Sequence, residues 1–265
     1  MENKQFSISK PLVSLRKNNS SHSELETECI FGEKCKVISI LGDWIFCELI
    51  KDGYQGWIKK KSLGLYVNPS HKVNLRNTIL FNKPDVKSKI FFYLTYGSEV
   101  YVNSVSNNWA EIHFYKEKKL LKKYIPQNHL VDIEKKELDW VKTAEKFIQT
   151  PYKWGGKSFF GIDCSGLVQL AILSKYNNAS RNSSKQEIEL GKNIYNVKNS
   201  NTFNFSSILK RGDLIFWERH VGIMVNKTEL IHANAFHICV KIEKLANAIQ
   251  RLKKSGYEIT KIKRI

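Results

Sequence analysis

Apolar and polar positions alternate with period two through the first ~135 residues, with few windows of helical period. Val13 to Arg16 and Glu24 to Glu33 read as strands, followed by Cys35 to Ile40, a turn at Leu41-Gly42-Asp43, and Trp44 to Leu49. A second turn at Lys51-Asp52-Gly53 leads into Tyr54 to Ile58. Short strands punctuated by Gly and Asp at this spacing predict a small β-barrel. The pattern then recurs. Val73 to Arg76 echoes Val13 to Arg16, Gly97 to Val102 echoes Gly32 to Val37, and Asn108 to Ile112 echoes Asp43 to Phe46. Tyr124-Ile125-Pro126 with His129-Leu130 repeats the close from Gly56 to Leu63. Such self-similarity predicts two tandem barrels of about 60 residues, over 1–66 and 67–134.

The period changes after the charged stretch from Asp132 to Glu137. Trp140, Val141, Ala144, Phe147 and Ile148 keep helical spacing, which predicts a helix beginning near Leu138 and ended by Pro151. A third domain is expected over 135–265. Within it, Asp163 precedes Cys164, and an apolar run Leu167, Val168, Leu170, Ala171, Ile172 follows. That reads as a loop feeding a helix, with Asp163 as N-cap and Cys164 in the first turn. Further on, Arg211 to Val225 holds two short β-rich runs flanking Glu218-Arg219, so His220 opens the second strand. A polar turn at Asn226-Lys227-Thr228 then returns the chain through Glu229 to Ala235. A hairpin closed there makes His220 and His232 cross-strand or diagonal neighbours.

Those positions carry chemistry. Unpaired backbone N–H groups and a partial positive charge at a helix N-terminus favour an anion. A thiol placed there beside a protonated imidazole can ionise with a pKa in the range of about 3.5–7.5. A Cys on a helix, a His on a strand and a second polar side chain to fix the imidazole form a nucleophile–base–orienter arrangement. Cys164, His220 and His232 are the candidates. A zinc site assembled from His220, His232, His237 and Cys239 is disfavoured, since the His-x₄-His-x-Cys spacing does not keep all three on one strand face. No metal and no cofactor are expected.

The stretch Pro151-Tyr152-Lys153-Trp154-Gly155-Gly156 through Asp163-Cys164-Ser165-Gly166 resembles the nucleophile motif of the NlpC-type cell-wall peptidases. Arg211-Gly212-Asp213 with His220-Val221-Gly222, and His232-Ala233-Asn234-Ala235, resemble that family's base and third-residue motifs. The resemblance spans about residues 138–250 and implies an α+β chain. Two small bacterial SH3-like β-barrels would precede a papain-like cysteine peptidase domain, with a helix packed on an antiparallel sheet. Two such domains ahead of the peptidase resemble one branch, the intracellular γ-D-glutamyl-L-diamino acid endopeptidases, also called dipeptidyl-peptidase VI. These release L-Ala-γ-D-Glu from peptidoglycan stem peptides with a free N-terminal L-Ala, as a murein recycling enzyme does.

The resemblance implies roles residue by residue. Cys164 is the nucleophile, His220 the base, His232 its orienter, and Tyr152 an aid to the oxyanion. Asp163 would accept the substrate ammonium, with Ser165 as a hydrogen-bond partner and Trp154 lining the γ-D-Glu subsite. Tyr54 and Glu28 would be the first SH3-like domain's contributions. One departure stands out: where the branch shows Arg-Asp-Ser on the diamino-acid side, this chain has Arg181-Asn182-Ser183. Ser183 keeps its implied substrate contact, but Asn182 lacks the charge an Asp offers to the ammonium of diaminopimelate. A papain-like acyltransferase or amidase, or a non-catalytic peptidoglycan-binding module, would be the competing functions.

Charge and composition modify this picture little. Of 265 residues 42% are hydrophobic and 12% aromatic, enough for packed cores. The net charge of +18 suggests nucleic acid at first sight. It is spread, however: residues 1–136 hold 22 basic and 14 acidic side chains, and the remainder 21 and 11. Solvated lysines on loops and strand edges explain it better, and neither nucleic acid nor a membrane is an expected partner. Stem peptides are the expected partner, whose carboxylates the charge would attract. Met1 to Gln5 is polar, with no apolar run of signal or membrane-span length after it. Five cysteines without a C-x-x-C suggest reduced thiols, so a cytoplasmic setting is expected. Oligomeric state is unspecified.

Overall fold

The computed structural model describes residues 5–196 and 207–265; the polar start at Met1–Lys4 lies outside the described residues. The chain divides into two compact units. One takes the residues up to Lys135 together with Lys157–Phe159, and the other takes Lys136–Gly156 and the chain from Phe160 onward.

In the first unit the period-two segments form two antiparallel sheets. The first contains β1 (Phe6–Ile8), β2 (Leu12–Arg16), β3 (Leu25–Ile30), β4 (Lys34–Leu41), β5 (Trp44–Leu49), β6 (Gln55–Lys59) and β7 (Leu63–Leu65), in the order β3-β2-β6-β5-β4-β1-β7. The second contains β8 (His71–Val73), β9 (Asn77–Phe81), β10 (Ile90–Thr95), β11 (Glu99–Ser106), β12 (Trp109–Lys116), β13 (Lys119–Pro126) and β14 (Leu130–Asp132), in the order β10-β9-β13-β12-β11-β8-β14. The second order is the first displaced by seven strands, so the repeat read in the sequence is a repeat of topology. Alternate residues of each strand face inward: Val13 and Leu15 of β2, or Ile45, Cys47 and Leu49 of β5, are buried.

The expected SH3-like barrels are not formed. Both sheets are open, and the end strands β3 and β7, or β10 and β14, have one neighbour each within their sheet. Closure needs the two edges of a sheet to hydrogen-bond to each other. Here the three-residue strand β7 gives its outer edge to the second sheet instead. The Glu117 N–H donates to the Leu63 carbonyl at 3.0 Å, and Gly64 bridges Glu117. Gly64 permits this approach, because a Cβ there would lie 1.8 Å from the Tyr115 carbonyl oxygen. Phe31, just past β3, packs into the second core against Phe114 at 5.0 Å between ring centroids.

The second unit is α+β. After α1 (Val141–Glu145) come the two-residue strands β15 (Lys157–Ser158, assigned to the first unit) and β16 (Gly161–Ile162). Helices α2 (Cys164–Leu173) and α3 (Ser183–Glu189) follow. The remaining elements are β17 (Lys192–Asn196), β18 (Leu214–Trp217), β19 (His220–Met224), β20 (Glu229–Asn234), β21 (Cys239–Lys244), α4 (Leu245–Lys254) and β22 (Ile259–Arg264). Six of these strands form one antiparallel sheet, β17-β22-β18-β19-β20-β21. Helix α2 is buried over nearly its whole length and lies against β19 and β20, the helix-on-sheet packing expected. On α4, Leu245 and Ala248 join Ile215, Trp217, Leu230 and Ile262 in a common core.

The helix expected near Leu138 is shorter than its periodicity suggested. Only Val141–Glu145 is α-helical. Beyond it the bonds tighten to i→i−3, as in Phe147 N–H to Ala144 and Thr150 N–H to Phe147. Gln149 then turns left-handed at φ 66° and donates to the Val240 carbonyl, exchanging helix for the sheet.

Candidate active site

Asp163 caps α2. Its backbone is extended (φ −97°, ψ 176°), and its Oδ1 accepts the Gly166 N–H at 2.7 Å. The carboxylate does more than cap. Oδ2 accepts the Gly155 N–H at 2.9 Å, and Arg181 spans both oxygens at 2.9 and 2.7 Å. The same guanidinium donates to Ser165 Oγ at 2.9 Å and to the Gly156 carbonyl at 3.1 Å. Arg181 and Asp163 are both buried. The loop before the nucleophile candidate is thus fastened to the helix that carries it.

Cys164, the first residue of α2, is buried. Its thiol donates to the Arg219 carbonyl at 4.0 Å and accepts from the Val221 N–H. These backbone groups flank His220, so the thiol lies beside that residue's main chain. Burial pushes the thiol pKa up to about 12, and the Asp163 charge adds to this. The Val221 and Ser165 N–H groups and Arg181 pull the other way without prevailing. The helix N-terminus alone was expected to favour a thiolate near neutral pH. Where the thiol is buried, desolvation acts against that preference and favours the neutral thiol.

His220 opens β19 as expected. In the hairpin Ile223 faces Ile231 and Met224 faces Leu230, which makes His220 and His232 diagonal neighbours. Gly222 leaves space for them, since a Cβ there would come within 3.4 Å of the His232 Cβ. His220 Nε2 and His232 Nδ1 are 2.8 Å apart, with ring centroids at 5.1 Å. The other nitrogen of His232 lies 2.7 Å from Glu243 Oε1, and Arg251 donates two bonds to that carboxylate, at 2.8 and 2.5 Å. Trp217, opposite His220 on β18, stacks at 5.6 Å between centroids. Burial lowers the His220 pKa to about 3, helped by the charges of His232 and Arg251 and opposed by Glu243. Burial lowers that of His232 as well. For Glu243 burial acts upward, but the bonds and charges of Arg251 and His232 win and hold it at about 2. Burial thus disfavours the charged form of both the Cys164 thiol and the His220 imidazole.

The other residues singled out in the sequence are distributed as follows. Tyr152 is half-buried, and its phenol pKa is raised by burial and by the Cys164 and Asp163 charges, so it remains a proton donor. Trp154 is exposed. Ser165 is buried between Asp163 and Arg181. Ser183 is half-buried at the start of α3, and Asn182 before it makes no side-chain cap. Glu28 and Tyr54 belong to the first unit. There Glu28 is buried and accepts from the Lys157 N–H and the Ser158 hydroxyl at 3.0 and 3.2 Å. The Tyr54 hydroxyl donates to Glu26 at 2.9 Å. Sequence reasoning missed Glu243, Arg251 and Trp217, and gave Arg181 no role. Strand alternation held a signal for Glu243, which shares a face with Lys241, the register partner of His232.

The ligand-type side chains that cluster here differ from the set weighed in the sequence. One ligand atom each from His232, His237 and Glu243 lies within 4.8 Å of the others. Cys239 is not among them; its thiol is 3.8 Å from Gln149. Arg251 already supplies the cation at Glu243.

The Cys164 thiol thus lies at a helix start, against the backbone groups flanking a strand histidine whose ring is bonded to a second histidine. Residues 149–255 match the NlpC/P60 family, and residues 15–63 match the bacterial dipeptidyl-peptidase Sh3 domain. These matches support an NlpC/P60-type cysteine-peptidase region behind an N-terminal region that is SH3-like in sequence. The chain is similar to dipeptidyl-peptidase 6 of Lysinibacillus sphaericus, at 26% identity over 80% of this chain and 81% of that one. It is also similar to the γ-D-glutamyl-L-lysine dipeptidyl-peptidase of Bacillus subtilis strain 168, at 24% identity over 79% and 72%. In fold it matches the crystal structure of an NlpC/P60 family protein from Bacillus cereus ATCC 10987. That match has a TM-score of 0.80 at 21% identity and covers 98% of this chain and 99% of the other. No helix among the described residues is long and apolar enough to cross a membrane.

Proposed function

We propose that this protein is a cysteine endopeptidase acting on peptidoglycan stem peptides. It would hydrolyse the bond between γ-D-Glu and the diamino acid in stems with a free N-terminal L-Ala. The observation that carries the reading is the placement of the Cys164 thiol against the two backbone groups flanking His220, whose ring bonds His232. The names of the two dipeptidyl-peptidase relatives support the choice of bond. The five cysteines are all unpaired, which suits a cytoplasmic recycling role.

In this mechanism the neutral imidazole of His220 takes the thiol proton as sulfur attacks the γ-glutamyl carbonyl carbon. The S–H bond breaks, an N–H bond forms on His220, and the carbonyl π pair moves to oxygen. The backbone N–H of Cys164 at the start of α2 and the Tyr152 phenol stabilise that oxyanion, a contribution of about 3 kcal/mol per donor. His220 then protonates the leaving amine of the diamino acid, and the C–N bond breaks to leave a thioester. Water, deprotonated by His220, hydrolyses it and restores the thiol. Holding thiol and imidazole neutral at rest avoids burying an ion pair before substrate arrives.

Asp163 is proposed to attract the L-Ala ammonium, sharing its carboxylate with Arg181, with Ser165 as a further hydrogen-bond partner. Trp154, exposed beside the Gly155-Gly156 turn, would cover the γ-D-Glu methylenes, and Ser183 would meet the diamino acid. Mass spectrometry of L-Ala-γ-D-Glu-meso-diaminopimelate and its lysine analogue, incubated with the parent and Cys164→Ala, tests the reading. Release of L-Ala-γ-D-Glu by the parent alone is expected. Intact peptides with the parent, or cleavage that survives Cys164→Ala, would overturn it.

A further inference from the structure

The histidine pair does not end at His232. His220 Nε2, His232 Nδ1, His232 Nε2 and Glu243 Oε1 follow one another at 2.8 and 2.7 Å, and Arg251 closes the line with two bonds on the carboxylate. Four elements contribute: β19, β20, β21 and α4. His232 is 1% exposed and Glu243 half-buried, so water does not supply the partner of His232 Nε2. We propose that Glu243, held in place by Arg251, is a positioning residue that fixes which nitrogen of each histidine carries the proton, and thereby makes His220 a base. This rests on the reading of His220 as the proton acceptor from Cys164.

The argument follows from donor and acceptor inventory. An ionised carboxylate only accepts hydrogen bonds, and two bonds from a guanidinium keep Glu243 ionised. The ring nitrogen that faces it, His232 Nε2, must then carry the hydrogen. A neutral imidazole has one N–H, so His232 Nδ1 presents a lone pair. That lone pair accepts from His220 Nε2, which must in turn be the protonated nitrogen of His220. The remaining nitrogen, His220 Nδ1, is left as the basic position. It is the ring nitrogen nearest the main chain of His220, and the Cys164 thiol lies against the backbone on either side of that residue. Without an acceptor at position 243, His232 could carry its proton on either nitrogen. With Nδ1–H it would push the proton of His220 onto Nδ1, where it would block proton transfer from the thiol.

The charged and titratable groups acting on the pair are His237 in the β20–β21 turn, Glu243 on β21 and Arg251 on α4, with the Cys164 thiol against the main chain of His220. His237 Nδ1 lies 3.8 Å from Glu243 but bonds Asn234 Oδ1 at 3.1 Å. Arg251 is itself braced, with its guanidinium 4.4 Å above the ring of Phe236. The sheet, the helix and an aromatic ring therefore hold the carboxylate in one orientation.

The test is direct. Protein labelled with ¹⁵N-histidine gives, by long-range ¹H–¹⁵N correlation between pH 6 and 8, the protonated nitrogen of each ring. His232 and His220 are both expected to carry the proton on Nε2. Glu243→Leu removes the acceptor and should mix the tautomers of both rings. Its kcat should fall about 10²-fold, with KM within about twofold, as loss of an outer hydrogen-bond partner typically does. Glu243→Gln keeps an acceptor oxygen and should hold the parent tautomers with kcat within about tenfold of the parent. A parent spectrum with His232 protonated on Nδ1 overturns the inference, whether or not the variants fold. So does Glu243→Leu with unmixed tautomers, or Glu243→Gln as damaged as Glu243→Leu. The spectrum needs no substrate, so a parent that cuts no stem peptide removes the functional reading without touching the tautomer result.

Discussion

Arg181 and Asp163 form a buried, two-pronged ion pair, with guanidinium nitrogens 2.9 and 2.7 Å from the two carboxylate oxygens. The pair joins the α2 N-cap to the segment ahead of α3. Replacing Arg181 by Met leaves an uncompensated carboxylate in a dry site, a change that costs about 3–5 kcal/mol. Thermal denaturation of Arg181→Met should show a loss of that order, larger than for Arg181→Lys. Equal midpoints for Arg181→Met and the parent would mean the pair contributes no net stability.

Activity should persist well below the usual histidine range. His220 acts as a base while neutral, and its pKa is lowered to about 3, so the acid limb of kcat/KM should lie below pH 5 rather than near 6.5. With the thiol pushed up to about 12, no basic limb from Cys164 is expected below pH 9. Stability has a different window. Because the folded pKa of His220 lies below the unfolded one, the unfolded chain binds the extra proton between about pH 6.5 and 3. Stability is then full above 6.5 and declines as pH falls through this range. A pH–rate profile paired with denaturant titrations separates the two effects.

Gly166 lies in the first turn of α2, under the loop. An added Cβ would sit 2.6 Å from the Gly156 carbonyl oxygen and 3.0 Å from Asp163 Oδ1. Gly166→Ala therefore has to push the loop away from the helix or break the cap, at a cost of about 1–3 kcal/mol. It should lower kcat as well as the melting temperature, because the loop carries Tyr152 and Trp154. A variant with parent-like melting would show that the loop yields freely.

Asn182 bears on the diamino acid. It is exposed, uncharged and makes no cap bond at α3, so it offers no charge to a second ammonium. The diaminopimelate and lysine tripeptides should be cleaved with kcat/KM values within about tenfold of each other. Asn182→Asp should favour diaminopimelate by a further few-fold, as an exposed ion pair allows (about 0.2–1 kcal/mol). An unchanged ratio in Asn182→Asp would remove the residue from that role.

Local patterns were the legible part of this protein. The N-cap at Asp163, the strand beginning at His220 and the diagonal histidine pair follow from spacing and turn chemistry within about 15 residues, the range over which such rules act. The tandem repeat was also readable, since each strand of the second copy preserves its alternation. Sheet closure was not, because it depends on where a three-residue edge strand finds its partner. Here Glu117, more than 50 residues away in sequence from Leu63, supplies it. Arg181 and Glu243 escaped for a similar reason. A charged residue in an otherwise polar or alternating stretch looks solvated until the fold buries it against a partner. For the thiol, the helix terminus is visible in sequence, but the burial that pushes its pKa up is not.

Phe31 belongs by sequence to the first repeat and by packing to the second, where its ring meets Phe92 and Phe114. The copies are therefore no longer interchangeable. Cutting the chain between them would strip one of a ring from its core and leave the other with that ring in water. Through that one side chain, the first repeat completes the core of the second.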